Sequence, residues 1–246
     1  LITFILSGLA LIAVMMGVSA ALRSPLFVVQ VVEVVDQLKD APVSSVEIVG
    51  LAAVPVGEVS LFDLKLSLIE KRLLSNAWIK SVVLTKRFPQ TLAIQVNYRT
   101  PVALVQGTTG TLQYIDQDGT VFGPFSLSSR PDLPIIAGTG LGDSGGPSLK
   151  SAVDLLVSWS SHSWGSKNQV SQVEYDSEEG FRLWITFLPS YRVLVTLGHD
   201  FDTSPKGEGL ARIDAVLGYI RSHQVPARQV FADANKKIVV RTVRGS

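Results

Sequence analysis

The first twenty-two residues, Leu1 to Leu22, carry no charged side chain, and Thr3, Ser7 and Ser19 are their only polar ones. As a helix rising about 1.5 Å per residue, such a run reaches roughly 33 Å, enough to cross a hydrocarbon core of about 30 Å. Gly8, Ala10, Ala13, Gly17 and Ala20 supply the small residues common in membrane helices. Val18-Ser19-Ala20 fits a signal-peptide cleavage site, but the apolar run is long for a signal core and no basic segment precedes it. A single-pass helix with its flank, residues 1–25, is therefore expected, and residues 26–44 read as a connecting segment. A cytoplasmic leader is expected before Leu1. It would carry the positive-inside signal, so charge leaves the orientation open.

The 246 residues contain 22 Lys and Arg against 21 Asp and Glu, a formal charge of +1. This near balance argues against a strongly basic nucleic-acid binder. Charged residues make up 17% and hydrophobic ones 46%, which excludes a disordered or collagen-like chain. Without cysteine there is no disulfide framework, thiol nucleophile or Cys-bearing zinc site. His162, His199 and His223 show no ligand spacing, and no cofactor is expected.

Beyond Pro25 the pattern is mixed. Residues 26–39 fit either a helix or a buried strand. Ser45 to Gly50 alternates apolar and polar and reads as a strand. Ser60 to Ser75 reads as an amphipathic helix facing inward through Leu61, Leu64, Leu68 and Leu73. Lys80–Phe88 and Thr91–Arg99 read as two strands, with Trp78 expected in the core beside them. Strands are then predicted at Leu112–Asp116 and Thr120–Phe122 around Asp118-Gly119, and a Ser/Gly/Pro-rich loop from Pro124 to Pro147. A helix over Ser148–Ser161 follows, then strands at Gln169–Asp176, Gly180–Leu188 and Arg192–Leu197. A helix over Pro205–His223 and strands around Arg228–Ala232 and Lys237–Thr242 close the chain.

Gly142-Asp143-Ser144-Gly145-Gly146-Pro147 spells the string around the nucleophile of chymotrypsin-like proteases. In that arrangement glycine amides face the oxyanion and a histidine activates the serine. Here every histidine follows Ser144, no barrel precedes it, and the disulfide beside the motif is excluded. A surface loop leading into a helix at Pro147-Ser148 accounts for the same letters. Asp116, Asp118 and Gly119 read as a hairpin turn, since the later acidic ligand of a calcium loop is missing. Asp200 and Asp202 beside His199 read as a solvated loop.

Lys86-Arg87-Phe88-Pro89-Gln90-Thr91-Leu92-Ala93-Ile94-Gln95-Val96 resembles the R-x-(W/F)-P-x-x-(L/V)-x-I-x-V signature of the FtsQ/DivIB cell-division family. Tyr98 to Ala103, Asp116 to Phe122, Leu133 to Gly138 and Val195 to Gly198 match its further motifs in order. The resemblance implies an α+β chain: an N-terminal transmembrane helix, a small POTRA-type α/β domain over residues 45–100, and a mixed β domain with flanking helices over 101–246. It also implies a non-enzymatic protein of the bacterial inner membrane, mostly periplasmic, at the division septum. Its partners would be FtsB-like and FtsL-like proteins and, through them, the septal peptidoglycan synthase, with no nucleic acid and no small-molecule substrate. Ala77-Trp78-Ile79 stands for the family's Pro-Trp-Val, and the first POTRA helix is expected to be reduced to Leu51–Gly57. His199 replaces a basic residue, and Phe231-Ala232-Asp233 replaces a D-L-R-like stretch, so His199, Asp233 and Ala234 are candidate partner contacts.

The final β-rich run, Lys236, Lys237, Ile238, Val239, Val240 and Arg241, is the candidate docking strand. Cations at both ends are what an exposed sheet edge uses against indiscriminate pairing. Two other functions fit parts of the chain: a membrane-anchored hydrolase using Ser144, and an outer-membrane assembly component bearing a POTRA unit. Against the latter, only one such unit fits and no series of lipid-facing strands follows.

Overall fold

The computed structural model describes residues 24–35, 40–107, 110–125, 132–138, 148–161, 169–188, 191–198, 208–232 and 237–242, with positions 8, 12, 15–17 and 141. Most of the apolar run lies outside these, and among the described residues no helix is long and apolar enough to cross a membrane. The chain divides into two compact units, residues 1–99 and 100–246.

In the first unit a short 3-10 turn, Pro25–Phe27, leads into strand β1, Val31–Val35. Helices α1, Ser45–Ala52, and α2, Leu66–Leu73, precede strands β2, Ile79–Arg87, and β3, Thr91–Tyr98. The sheet order is β1-β3-β2, with β1 parallel and β2 antiparallel to the central strand. Residues 26–44, expected to connect, thus supply an edge strand whose Val31 to Val35 align with Thr91 to Gln95.

Ser45 to Gly50, expected as a strand, is helical. Ser44 Oγ accepts from the Glu47 N–H at 3.2 Å, Glu47 sits in the first turn, and Ala53 closes the helix in the left-handed region at φ 45°. Ile48 and Ala52, four residues apart, are fully buried while Val46 is 84% exposed. A strand would have put Val46 and Ile48 on one face. The first helix of this unit, expected as a remnant over Leu51–Gly57, is therefore Ser45–Ala52. The helix expected over Ser60–Ser75 is likewise shorter. Leu61 and Leu64 are buried from a turn in which Asp63 N–H donates to Ser60 O at 3.0 Å. The inward face of α2 is Ile69 and Leu73, and Leu68 is exposed. The Arg72 guanidinium donates to the carbonyls of Ala52 and Ala53 at 3.3 and 3.2 Å, joining α2 to the open end of α1. Trp78, expected in the core, is half-buried at its margin.

The second unit is one mixed sheet. Its strands are β4, Pro101–Gln106; β5, Leu112–Asp116; β6, Val121–Pro124; and β7, Ile135–Gly138. Helix α3, Leu149–Ser161, precedes β8, Gln169–Asp176; β9, Gly180–Leu188; and β10, Tyr191–Leu197. Helix α4, Glu208–Ser222, precedes β11, Ala227–Ala232, and β12, Ile238–Thr242. The spatial order is β12-β11-β10-β9-β8-β7-β4-β5-β6. Strand β7 falls inside the expected loop over Pro124–Pro147 and runs parallel between β4 and β8, with Ile136 fully buried. Asp116, nearly buried, accepts from the N–H groups of Asp118 and Thr120 at 3.0 and 2.9 Å, and Gly119 takes φ 82°, so these residues form the hairpin turn. Leu155 and Trp159 of α3 and Ile213 and Leu217 of α4 join one core with the sheet.

Unfolding titrations should separate core from margin. Leu73→Ala, which empties a fully buried site, should cost about 2–5 kcal/mol, and the half-buried Trp78→Ala about 1–3 kcal/mol. Gly138 has φ 143°, and a Cβ there would meet the Tyr175 carbonyl oxygen at 2.7 Å. Gly138→Ala should therefore destabilise by roughly 1–3 kcal/mol or more, by forcing β7 away from β8.

Candidate partner-binding edge

Among the described residues, strand β12 ends the nine-stranded sheet, hydrogen-bonded to β11 on one side only. Its register is antiparallel, Ile238 opposite Ala232, Val239 opposite Phe231, Val240 opposite Val230 and Arg241 opposite Gln229. The alternation expected of a strand with one buried face follows. Ile238 and Val240 pack against the core, while Val239 is 58% exposed and Lys237 and Arg241 face solvent. The Arg241 guanidinium lies 5.5 Å from the centroid of the Phe231 ring, on the strand behind it.

The support beneath this edge is built from β10 and β11. They are parallel, Leu194 to Leu197 aligned with Gln229 to Ala232, so α4 carries the chain back between them. Leu210, Ile213, Leu217 and Ile220 form the buried face of α4. Val225 N–H donates to Ile220 O at 3.0 Å as the helix gives way to the strand. The Tyr191 hydroxyl donates to the Ala227 carbonyl, and Gln229 Nε2 donates to Thr196 Oγ1 at 3.2 Å. Burial pushes the Tyr191 hydroxyl pKa above its ordinary 10.0. At the other end of the parallel pair, Gly198 N–H donates to Ala232 O at 3.2 Å.

Of the predicted contact residues, Lys237, Ile238, Val239, Val240 and Arg241 fall together on or beside this edge. Lys236, His199, Asp233 and Ala234 lie outside the described residues, as do Ser144, His162, Asp200 and Asp202. Among the described residues no group of three or more His, Asp or Glu could hold a metal ion. Sequence reasoning missed Phe231 and Gln229, which back the edge. The signal was available in the cross-strand register, but register follows from pairing and not from composition.

Two family models match the chain: "POTRA domain, FtsQ-type" over residues 41–99, and "Cell division protein FtsQ/DivIB, C-terminal" over residues 103–230. The chain is 31% identical over 205 residues to the cell division protein FtsQ of Geotalea daltonii, covering 80% of this chain and 70% of that one. With the FtsQ of Geobacter sp. strain M21 it shares 30% over 207 residues, 82% of this chain and 72% of the relative. With that of Myxococcus fulvus it shares 28% over 183 residues, 71% and 61% of the two chains. A POTRA unit followed by this β-rich unit defines a divisome protein. The chain belongs to the FtsQ/DivIB family of cell-division proteins. The C-terminal match stops at Val230, eight residues before β12 begins at Ile238.

Tyr191→Phe removes one hydroxyl that holds the start of β11, and should cost about 1 kcal/mol at neutral pH. The raised pKa means that the wild type favours the neutral hydroxyl when folded. Its contribution is fully present below about pH 10 and is lost as pH rises through the folded value. Alkaline unfolding curves of wild type and Tyr191→Phe should therefore converge above that range.

Proposed function

We infer that this chain is a non-catalytic, single-pass scaffold of the bacterial divisome. Residues 1–25 anchor it in the cytoplasmic membrane, and the POTRA and β units lie on the periplasmic side at the septum. It acts by surface: an FtsB-like chain adds a strand beside β12, and FtsL-like protein and the septal peptidoglycan synthase join through it. One observation supports the reading, namely that β12, Ile238–Thr242, is the terminal strand of a nine-stranded sheet and, among the described residues, has a strand partner on one side only. Its cations favour a partner with acidic residues in an extended segment. Main-chain pairing then supplies affinity, and charge supplies register and selectivity. His199, which follows β10 in sequence, and Asp233, Ala234 and Lys236, which lie between β11 and β12 in sequence, are proposed to extend the same contact.

Neighbouring residues in a strand aim their N–H groups at opposite edges. Of Val239→Pro and Val240→Pro, one therefore removes a bond to β11 and the other a donor on the free side. The first should lower stability by about 1 kcal/mol or more. The second should abolish co-purification of the FtsB-like partner while the protein melts as wild type. Capture at wild-type level by both variants would place docking elsewhere. Arg241→Ala, on an exposed side chain, should change stability by less than about 1 kcal/mol yet weaken capture and its salt dependence.

A further inference from the structure

Three phenylalanines from distant parts of the first unit meet at one end of its sheet. The ring centroids of Phe27 and Phe62 are 5.1 Å apart, those of Phe27 and Phe88 6.1 Å, and those of Phe62 and Phe88 5.0 Å. Each ring touches the other two, yet Phe62 remains 41% and Phe88 54% exposed, with the neighbouring Leu26 65% exposed. The cluster is fixed by backbone bonds. Leu61 N–H donates to Phe27 O at 2.8 Å, and Val29 N–H to Val59 O at 2.9 Å. Gln30 N–H donates to Gln90 O at 2.9 Å, which ties the same segment to the β2–β3 hairpin that carries Phe88. A surface this aromatic and this rigid is an unfavourable one to leave in water.

Its position in the chain says what covers it. Phe27 is five residues beyond Leu22, where the uncharged run ends. Five residues reach at most about 18 Å when fully extended, and the headgroup layer of one leaflet occupies roughly 5–7 Å of a bilayer. The sheet end that bears the rings is also the end at which the chain enters β1 from that run. The flanking charges are mixed: Arg87 pairs with Glu33 at 3.0 Å, and Asp63 follows Phe62. Attraction would thus come from apolar and aromatic insertion, the chemistry by which aromatic side chains populate membrane interfaces, and not from a basic patch.

We propose that Phe27, Phe62 and Phe88, with Leu26, seat in the phospholipid interface of the membrane that residues 1–22 cross, docking the POTRA unit onto the bilayer. This rests on reading residues 1–22 as a span. The contact gives the first unit a defined orientation on the bilayer.

The 246 residues contain no cysteine, so single positions can be labelled in this chain. An environment-sensitive fluorophore is placed on Leu26→Cys, Phe62→Cys, Phe88→Cys and, as an aqueous reference, the exposed Tyr219→Cys of α4. Leu26→Cys leaves all three rings intact, so one probe does not disturb the cluster. The proteins are reconstituted in phosphatidylethanolamine–phosphatidylglycerol vesicles, with doxyl-labelled lipid or aqueous iodide as quencher. Doxyl lipid should quench positions 26, 62 and 88 several-fold more than position 219, with iodide showing the reverse order. Equal quenching at all four positions, in protein that floats with the vesicles after carbonate washing, overturns the aromatic contact alone. Shielding of position 26 from both quenchers means that a second copy covers the rings, which also overturns it. Protein that no longer floats after the wash overturns the span and this contact together.

Discussion

Two parallel strands cannot be joined by a tight turn, and the end of the second unit is arranged around one such pair. β10 and β11 lie side by side in the same direction, so the chain must travel the length of the sheet between them. Helix α4 makes that return and pays its way by burying Leu210, Ile213, Leu217 and Ile220 against the sheet. The pairing then fixes what comes after it. β11 has one flank satisfied by β10, and the short hairpin partner β12 takes the other. The exposed edge is a result of this order of addition.

In the first unit a single long central strand has the same role. β3 holds β1 and β2 on either side, and its Leu92 and Ile94 meet Ile48, Ile69 and Leu73 from the two helices. The guanidinium of Arg72 spans the helices, donating to two backbone carbonyls at the C-terminal end of α1. These bonds add to the burial of Ile48, Ala52, Ile69 and Leu73 that holds α1 and α2 over the three-stranded sheet.

How far the fold could be read in advance depended on how local its causes are. β5, β8 and β9 have the expected limits because alternation and flanking turn residues, such as Asp118-Gly119 and Glu178-Glu179-Gly180, act within a few residues. Ser45–Ala52 misled because three alternating positions also fit one turn of helix, and the deciding signal was the Ser44 cap in front of it. β7 is four residues long, too short to show a period, and owes its existence to neighbours distant in sequence on both sides. At the candidate site, composition pointed to the Lys237–Arg241 strand. Its terminal place in the sheet and its Phe231 backing follow from non-local pairing.

The far end of the same sheet has a consequence for assembly. β6 is four residues long and finishes in Pro124, which has no N–H to offer. A sheet with two receptive edges can link head to tail into filaments, because each added unit exposes a fresh edge like the one just covered. Here β6 is short and ends in a residue without a donor, so among the described strands of this sheet β12 offers the fuller edge to an incoming strand. Strand addition at β12 would not be matched at the far edge of the same sheet, which disfavours head-to-tail linking of scaffolds into filaments.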